Sequence, residues 1–383
     1  MDWLVHSAAG SSIPWSLPER WRGPSATPLV LAGALLPDID NFVGPFLDPG
    51  SGFGHRGFTH SLFGLAVLAP LAALVALRFT KEKRFAHIVV FISIGMLSHV
   101  LLDLPTPMGT RLFYPFSDQY VHLGFFGYMD WTLFTLGLFM FLATWTYANR
   151  KVAMRRGILS LLLLSLLSWW LFSEWPTLAL SFAATGEEAT EKPYLTSYPL
   201  ILGGTLLLLL IACAWKDWGF RQSRAVFGRI GLAAFCLYFG FCLALQGFVL
   251  GKTREFTQER GIVASRQAAA RMGYSSLVAP FSWTGLVLAP EGVYEAKIFP
   301  FRTETPTFTL FPSSTENGLI VKTRSIPDVQ RFLSRARFPV TRYRLDKGRS
   351  IVEYQEFGLA WKPLLRIEFN ERQEVVAVGW IEH

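Results

Sequence analysis

Residues 230–251 read IGLAAFCLYFGFCLALQGFVLG, a run without one charged side chain. A helix crossing the hydrocarbon core of a bilayer needs roughly 17–25 such residues, and only a helix or a closed barrel satisfies all its backbone polar groups in lipid. Five further stretches fit that length, at approximately 58–77, 85–102, 131–148, 157–173 and 193–215. Those at 58–77 and 85–102 contain His60, Pro70 and His99, so they are expected to be less hydropathic than the last two, 193–215 and 230–251. The composition agrees: of 383 residues, 51% are hydrophobic and 17% charged, which does not suit a wholly soluble protein. The apolar segment Pro28 to Leu36 is too short to span and reads as a re-entrant or buried helix packed on the bundle.

Loop charges set the orientation, because short loops rich in Lys and Arg stay in the cytoplasm. Arg78, Lys81, Lys83 and Arg84 lie in one loop; Arg150, Lys151, Arg155 and Arg156 in a second; Lys216, Arg221, Arg224 and Arg229 in a third. The alternating loops, 103–130 and 174–192, hold only Arg111 and Lys192. Residues 1–57, both of those loops and everything after 251 are therefore expected on the outer face. No cleavable signal peptide is expected, since Asp2 replaces a basic start and no apolar core follows.

After residue 252 the pattern turns to short alternating runs rich in Val, Ile, Phe and Tyr, at 293–299, 307–311, 318–323, 339–345, 349–356, 363–369 and 374–380. A helical stretch is expected around Ile262 to Met272, another from Asp328 to Arg337 after Pro327, and a hairpin turn at Asp346-Lys347-Gly348. The expected fold is thus a polytopic α-helical membrane protein of about six transmembrane helices with a C-terminal α+β domain built on an antiparallel sheet. Its parts are residues 1–150 with the polar motifs, 151–251 with three further spans, and 252–383 outside the membrane.

The net charge of +8 is split almost evenly, 17 Lys/Arg against 14 Asp/Glu in residues 1–251 and 19 against 14 beyond, so no basic face stands out. With no zinc-finger, helix-turn-helix or RNA-binding signature, nucleic acid is not an expected partner, and the bilayer itself is. Cys213, Cys236 and Cys242 sit in apolar stretches and read as small hydrophobes rather than ligands.

Ionisable groups at membrane level are costly and invite a functional reading. In Ser98-His99-Val100-Leu101-Leu102-Asp103, His99 and Asp103 share a helix face and either bind one cation or simply bond to each other. Gly54-His55-Arg56-Gly57-Phe58-Thr59-His60-Ser61 sets two imidazoles and a guanidinium where a span begins. Leu36-Pro37-Asp38-Ile39-Asp40 offers paired carboxylates, which in an extended backbone point the same way. Each alone is as readily a solvated loop; three segments offering His and Asp with little sulfur favour a zinc, manganese or iron site. No G-x-S-x-G elbow, H-E-x-x-H helix or phosphate-cradling loop occurs.

These motifs, with Met1-Asp2-Trp3-Leu4-Val5-His6, Gly33-Ala34-Leu35-Leu36-Pro37-Asp38-Ile39-Asp40 and Gly109-Thr110-Arg111-Leu112-Phe113-Tyr114-Pro115-Phe116, stand in an order that resembles one known family. It is the membrane-bound, metal-dependent hydrolases of bacterial inner membranes, also described as LexA-binding and inner-membrane-associated. The resemblance covers roughly residues 1–150. It implies a helical metal site distantly similar to those of zinc-dependent phospholipase C and single-strand nucleases. By motif match, His6, Asp38, His60, His99 and Asp103 would be the first ligands, and Asp40 and His55 bridging ligands or their supports. Asp130, before the next helix, stands where family members carry an acid. The implied chemistry is hydrolysis of a phosphoester or lipid-derived substrate at the outer face of the inner membrane, around one or two divalent ions, zinc first. Asp38 or Asp40 would serve as general base, and Arg56 and Arg111 would bind an anionic oxygen. The rival reading is a non-enzymatic membrane protein in which a structural metal or a His/Asp network ties the N-terminal segment down, the C-terminal domain binding an envelope partner.

Overall fold

The computed structural model describes residues 3–21, 23–43, 55–127, 130–147, 149–163, 165–166, 203–213, 218–221, 224–271, 281–346, 348–359 and 362–381. Its helical part opens with α1 (Trp3–Ser16) and α2 (Ala26–Leu35), followed by α3 (Leu62–Phe79), α4 (Phe85–Asp103) and α5 (Trp131–Thr146). Helices α6 (150–163), α7 (Gly203–Cys213) and α8 (Arg224–Glu259) complete it.

Among the described residues three helices, α3, α4 and α8, are long and apolar enough to cross a membrane. Six spans are therefore not what the structure supports. The stretch at 131–148 forms a helix of 16 residues, and in the one at 193–215 the described residues, Gly203–Cys213, are helical. Residues 164 and 167–173 of the 157–173 span and all of the 174–192 loop lie outside the described residues. The first span starts at Leu62, not 58, because Phe58–His60 form a separate 3-10 turn and Ser61 caps the helix by accepting from the Gly64 N–H.

Helices α1 and α2 are both short, and α2 holds the segment expected at Pro28 to Leu36. Neither can span alone, yet both are packed into the bundle: α1 against α2, α4, α5 and α8, and α2 against α4. Small residues permit that closeness, as is common between helices in lipid. A Cβ on Gly33 would lie 2.2 Å from the Ile92 carbonyl oxygen, and one on Gly95 2.1 Å from that of Val30. The serines of α1 need no water, since Ser7, Ser11, Ser12 and Ser16 each donate to a carbonyl three or four residues back. Outward positions of α3, such as Leu71, Leu74 and Val75, are exposed and apolar, while Ala69 and Ala73 are buried. That is the inside-out pattern that lipid requires.

The C-terminal part holds two four-stranded antiparallel sheets. One is β1 (Arg266–Ala270), β2 (Trp283–Ala289), β3 (Gly292–Ile298) and β4 (Thr309–Pro312); the other is β5 (Pro339–Asp346), β6 (Arg349–Glu356), β7 (Leu364–Phe369) and β8 (Val375–Ile381). Two short helices, α9 (Gly318–Thr323) and α10 (Pro327–Arg335), join them. Two local readings are corrected. Residues 318–323 are helical, because Asn317 caps them by accepting from the Ile320 N–H. Where the sequence predicts a helix, around 262–272, Arg266–Ala270 form β1, because pairing with β2 outweighs the helix preference of its alanines. The hairpin joins β5 to β6 with Asp346 opposite Arg349 and Gly348 at φ +80°, and α10 starts on Pro327.

Helix α8 runs unbroken for 36 residues, about 54 Å at about 1.5 Å per residue, past the expected 251/252 boundary. Its last turns pack on the first sheet, where Phe256 stacks on Phe308 with ring centroids 4.0 Å apart. One core links both parts, from Val5 and Ala8 of α1 through Leu133 and Cys242 to Trp283 and Ile298.

Gly95→Leu is expected to part α2 from α4 and lower the thermal unfolding midpoint in detergent, by more than the about 1–3 kcal/mol of ordinary overpacking, since its neighbour is backbone. Val90→Leu on the exposed face of the same helix should leave the midpoint unchanged.

Candidate metal centre

Four segments bring the polar motifs together at one end of the bundle. Helix α1 supplies His6, the turn after α2 supplies Asp38 and Asp40, the turn before α3 supplies His55, Arg56 and His60, and the last turns of α4 supply His99 and Asp103. Three overlapping groups have donor atoms close enough to hold a metal ion: His6, Asp38 and His99; Asp38, His55 and His60; and His60, His99 and Asp103. Six of the eight residues named from sequence as metal ligands thus meet, and Asp40 borders them through His55 and His60.

His60 Nε2 and His99 Nε2 face each other at 3.1 Å. Asp38 Oδ1 lies 3.7 Å from the first and 3.5 Å from the second. Asp103 Oδ2 lies 3.5 and 3.6 Å from them. A tetrahedral ion with ligands at 2.0–2.1 Å sets those ligands about 3.3 Å apart, so this spacing suits one ion.

Hydrogen bonds fix which nitrogen points inward. His99 Nδ1 lies 2.7 Å from the Ala34 carbonyl, which can only accept, so Nδ1 carries the hydrogen. His60 Nδ1 faces Asp40 Oδ2 at 3.1 Å and Thr59 Oγ1 at 2.9 Å, and Thr59 already spends its own proton on Asp40 at 2.6 Å. His60 therefore donates from Nδ1 as well. In the neutral imidazoles, both facing Nε2 atoms are lone pairs. The ring of His6 stacks on that of His99, centroids 3.6 Å apart, and its Nε2 lies 3.3 Å from Asp103 Oδ1. Neither ring nitrogen of His6 has a hydrogen-bond partner among the described residues.

Asp40 accepts from the Arg56 N–H at 3.1 Å and from His55 Nδ1 at 2.8 Å besides Thr59 and His60. That fills the roughly four acceptor positions of a carboxylate. Burial opposes its charge, but the hydrogen bonds of His55 and His60 win and hold its carboxyl well below the usual range. Asp38 is lowered too, burial being outweighed by the His60 hydrogen bond and the charges of His99 and His6. Burial would depress His60, yet Asp103, Asp38 and Asp40 raise its pKa to about 10.

Arg56 is the one arginine inside the cluster among the described residues, against three carboxylates. Its guanidinium donates to Asp103 Oδ1 at 3.2 Å, Thr106 Oγ1 at 2.8 Å and the Gly109 carbonyl at 3.2 Å. Its backbone sits in the left-handed region at φ +64°, a costly place for a residue with a Cβ. It is held there by Asp40 on its N–H and by the Arg111 N–H on its carbonyl, at 3.1 Å. Arg56 thus positions Asp103 rather than facing a cleft. The Arg111 side chain stands over the Tyr120 ring at 5.1 Å and 3.6 Å from Asp118. His6, His60, His99 and Asp103 are essentially inaccessible, so the approach is through Asp38, 16% exposed, and His55, 31% exposed.

Asp130 sits apart from the cluster. It caps α5 by accepting from the Thr132 and Leu133 N–H groups, takes Arg271 Nη1 at 2.5 Å and accepts from the Tyr238 hydroxyl at 3.0 Å. Sequence reading missed Thr59, Thr106 and the Ala34 carbonyl as supports. Thr59 stands inside the motif Gly54 to Ser61 and Thr106 in none, and nothing in a sequence announces a carbonyl acceptor. His122 lies outside the cluster, and burial with Arg337 and Arg266 pushes its pKa down to about 3.

Three helices long and apolar enough to cross a bilayer and a cluster of buried His and Asp define a helical membrane protein with a polar centre at one end of the bundle. The family described as YdjM inner membrane protein matches residues 1–185. The inner membrane protein YbcI of Escherichia coli K12 is 33% identical over 122 residues, 30% of this chain and 68% of YbcI. This chain belongs to the YdjM inner membrane protein family. YdjM of the same organism is 42% identical over 98 residues, 23% of this chain and 48% of YdjM. The uncharacterized protein YfhP of Bacillus subtilis strain 168 is 29% identical over 100 residues, so the chain spans about a third of that relative. No solved structure matches.

Asp130→Ala should cost about 3–5 kcal/mol by leaving the Arg271 guanidinium buried without its carboxylate, read as a lower unfolding midpoint. Adding Arg271→Met should recover much of the loss.

Proposed function

We propose that the chain is a membrane-bound, metal-dependent hydrolase that acts on a phosphoester or lipid-derived substrate at the outer face of the inner membrane, with the C-terminal domain extracytoplasmic. The observation that carries this reading is the pair of inward lone pairs, His60 Nε2 and His99 Nε2, 3.1 Å apart between two carboxylates. With His60 neutral, three carboxylates against one guanidinium leave two negative charges in a low-dielectric interior, which a divalent cation would neutralise in place of the His60 proton. His60, His99, Asp38 and Asp103 would hold the ion, zinc first with manganese or iron as alternatives; when bound it supplies a polarising charge and an activated water. Asp40 keeps His60 and His55 oriented. Asp38, the carboxylate nearest solvent, accepts a proton at its second oxygen, and Arg56 fixes Asp103. The outer-face assignment rests on α3 and α4, whose opposite ends carry Arg78, Lys81, Lys83 and Arg84.

One observation favours a second reading: every Arg56 contact is internal, as in a centre that ties α1 to α3 and α4 without turnover. Elemental analysis of the detergent-purified protein beside His60→Ala, His99→Ala tests the metal, and hydrolysis of phosphoesters and lipids by the loaded protein separates the two readings. Near-stoichiometric metal in the wild type, absent from the double variant, is expected; metal in neither after supplementation sinks the proposal.

Asp40→Ala should weaken metal binding about 10–100-fold, since it removes the support of two histidines. Proton and cation compete for the same Nε2 atoms, so affinity should rise with pH and binding should release protons, seen by calorimetry in buffers of different ionisation enthalpy.

A further inference from the structure

At the end of the bundle away from the His/Asp cluster, the turn between α1 and α2 meets the loop between α3 and α4 around a cavity of about 140 Å³. Arg20, Lys81, Arg84 and His87 line it with Ser25 and Trp21. Glu82 is also there, but Arg84 answers it with a two-pronged ion pair at 3.0 and 2.9 Å. Arg20 and Lys81 make no ion pair with any described residue. The local excess is positive.

Two helices start at this cavity, α2 after Ser25 and α4 after Arg84, and neither has a side-chain cap. Ser25 is only 7% exposed, yet its hydroxyl bonds to no described residue. Uncapped N–H groups at helix starts, with the positive ends of both helix dipoles, suit an anion. Apolar flanks mark the membrane boundary: Phe79 is 83% exposed, Phe85 is exposed beside it, and Trp21 stacks on His87 at 5.3 Å.

We propose that this cavity binds a phosphate-bearing anion, the headgroup of an acidic phospholipid in the leaflet it faces. Arg20 and Lys81 contact the phosphate oxygens, Ser25 donates to them, and the acyl chains lie along Phe79 and Phe85. Basic pockets between helices at the Lys/Arg-rich face of a membrane bind acidic lipids in this way. The site is separate from the His/Asp cluster and does not depend on hydrolysis.

The test uses the full chain in phosphatidylcholine nanodiscs with and without phosphatidylglycerol. Retained lipid is counted by native mass spectrometry, and inorganic phosphate is titrated separately by thermal shift. Wild type should retain phosphatidylglycerol in preference to phosphatidylcholine. Arg20→Glu, Lys81→Glu should lose that preference by about tenfold or more. Lys151→Glu, Arg155→Glu, an equal charge change on a different loop, should keep it. Ser25→Ala, too small a change to unfold the chain, should weaken retention if the double variant does not fold. Stabilisation by inorganic phosphate without lipid preference would support the anion site with phosphate from solution as its source. Equal retention of both lipids by wild type with no response to phosphate, or equal loss in the two double variants, overturns the proposal.

Discussion

Three carboxylates, three inaccessible imidazoles and one guanidinium share a small volume beside membrane helices, and charge in such a place must be compensated or it does not stay. Much of the helical architecture serves that requirement. Helices α1 and α2 are too short to cross lipid, but they wall the cluster off from it, and α2 also lends the Ala34 carbonyl that fixes His99. The glycine contacts between α2 and α4 matter because that carbonyl must come within hydrogen-bond reach of a side chain on the neighbouring helix. Arg56 is held in an unfavourable backbone conformation by partners on its N–H, its carbonyl and its guanidinium NH groups.

A second buried ionic group does related work between the two parts of the molecule. Asp130 caps α5, Tyr238 belongs to α8, and Arg271 follows β1, so one carboxylate joins two helices of the bundle to the first sheet. Such a group contributes specificity of docking more than net stability, since its desolvation offsets much of its attraction. The surrounding apolar core, with Trp283, Phe125 and Phe126, supplies the rest.

The cluster was legible in the sequence to a large extent because its residues come in short motifs, and i, i+4 spacing places His99 and Asp103 on one face whatever the tertiary fold. What each residue does there was not legible. Asp38 and Asp40 looked equivalent, and only their surroundings separate them, Asp40 surrounded by four donors and Asp38 partly open. Arg56 looked like a group awaiting an anion, because no sequence shows a positive φ or an acceptor at Gly109. Asp130 looked like a further ligand because its partner Arg271 is 141 residues away. In the C-terminal part the misread elements are the ones whose local preference loses to pairing, at β1, or to a cap, at α9.

Chain order carries a consequence for biogenesis. His6 leaves the ribosome long before His99 and Asp103, and the 14-residue and 10-residue helices on either side of Trp21 cannot settle across a bilayer by themselves. Both short helices therefore find their packing partners in the helix pair from Leu62 to Asp103 only once that pair has been made. Until then, their uncovered apolar faces are the features that a membrane insertase or chaperone would meet.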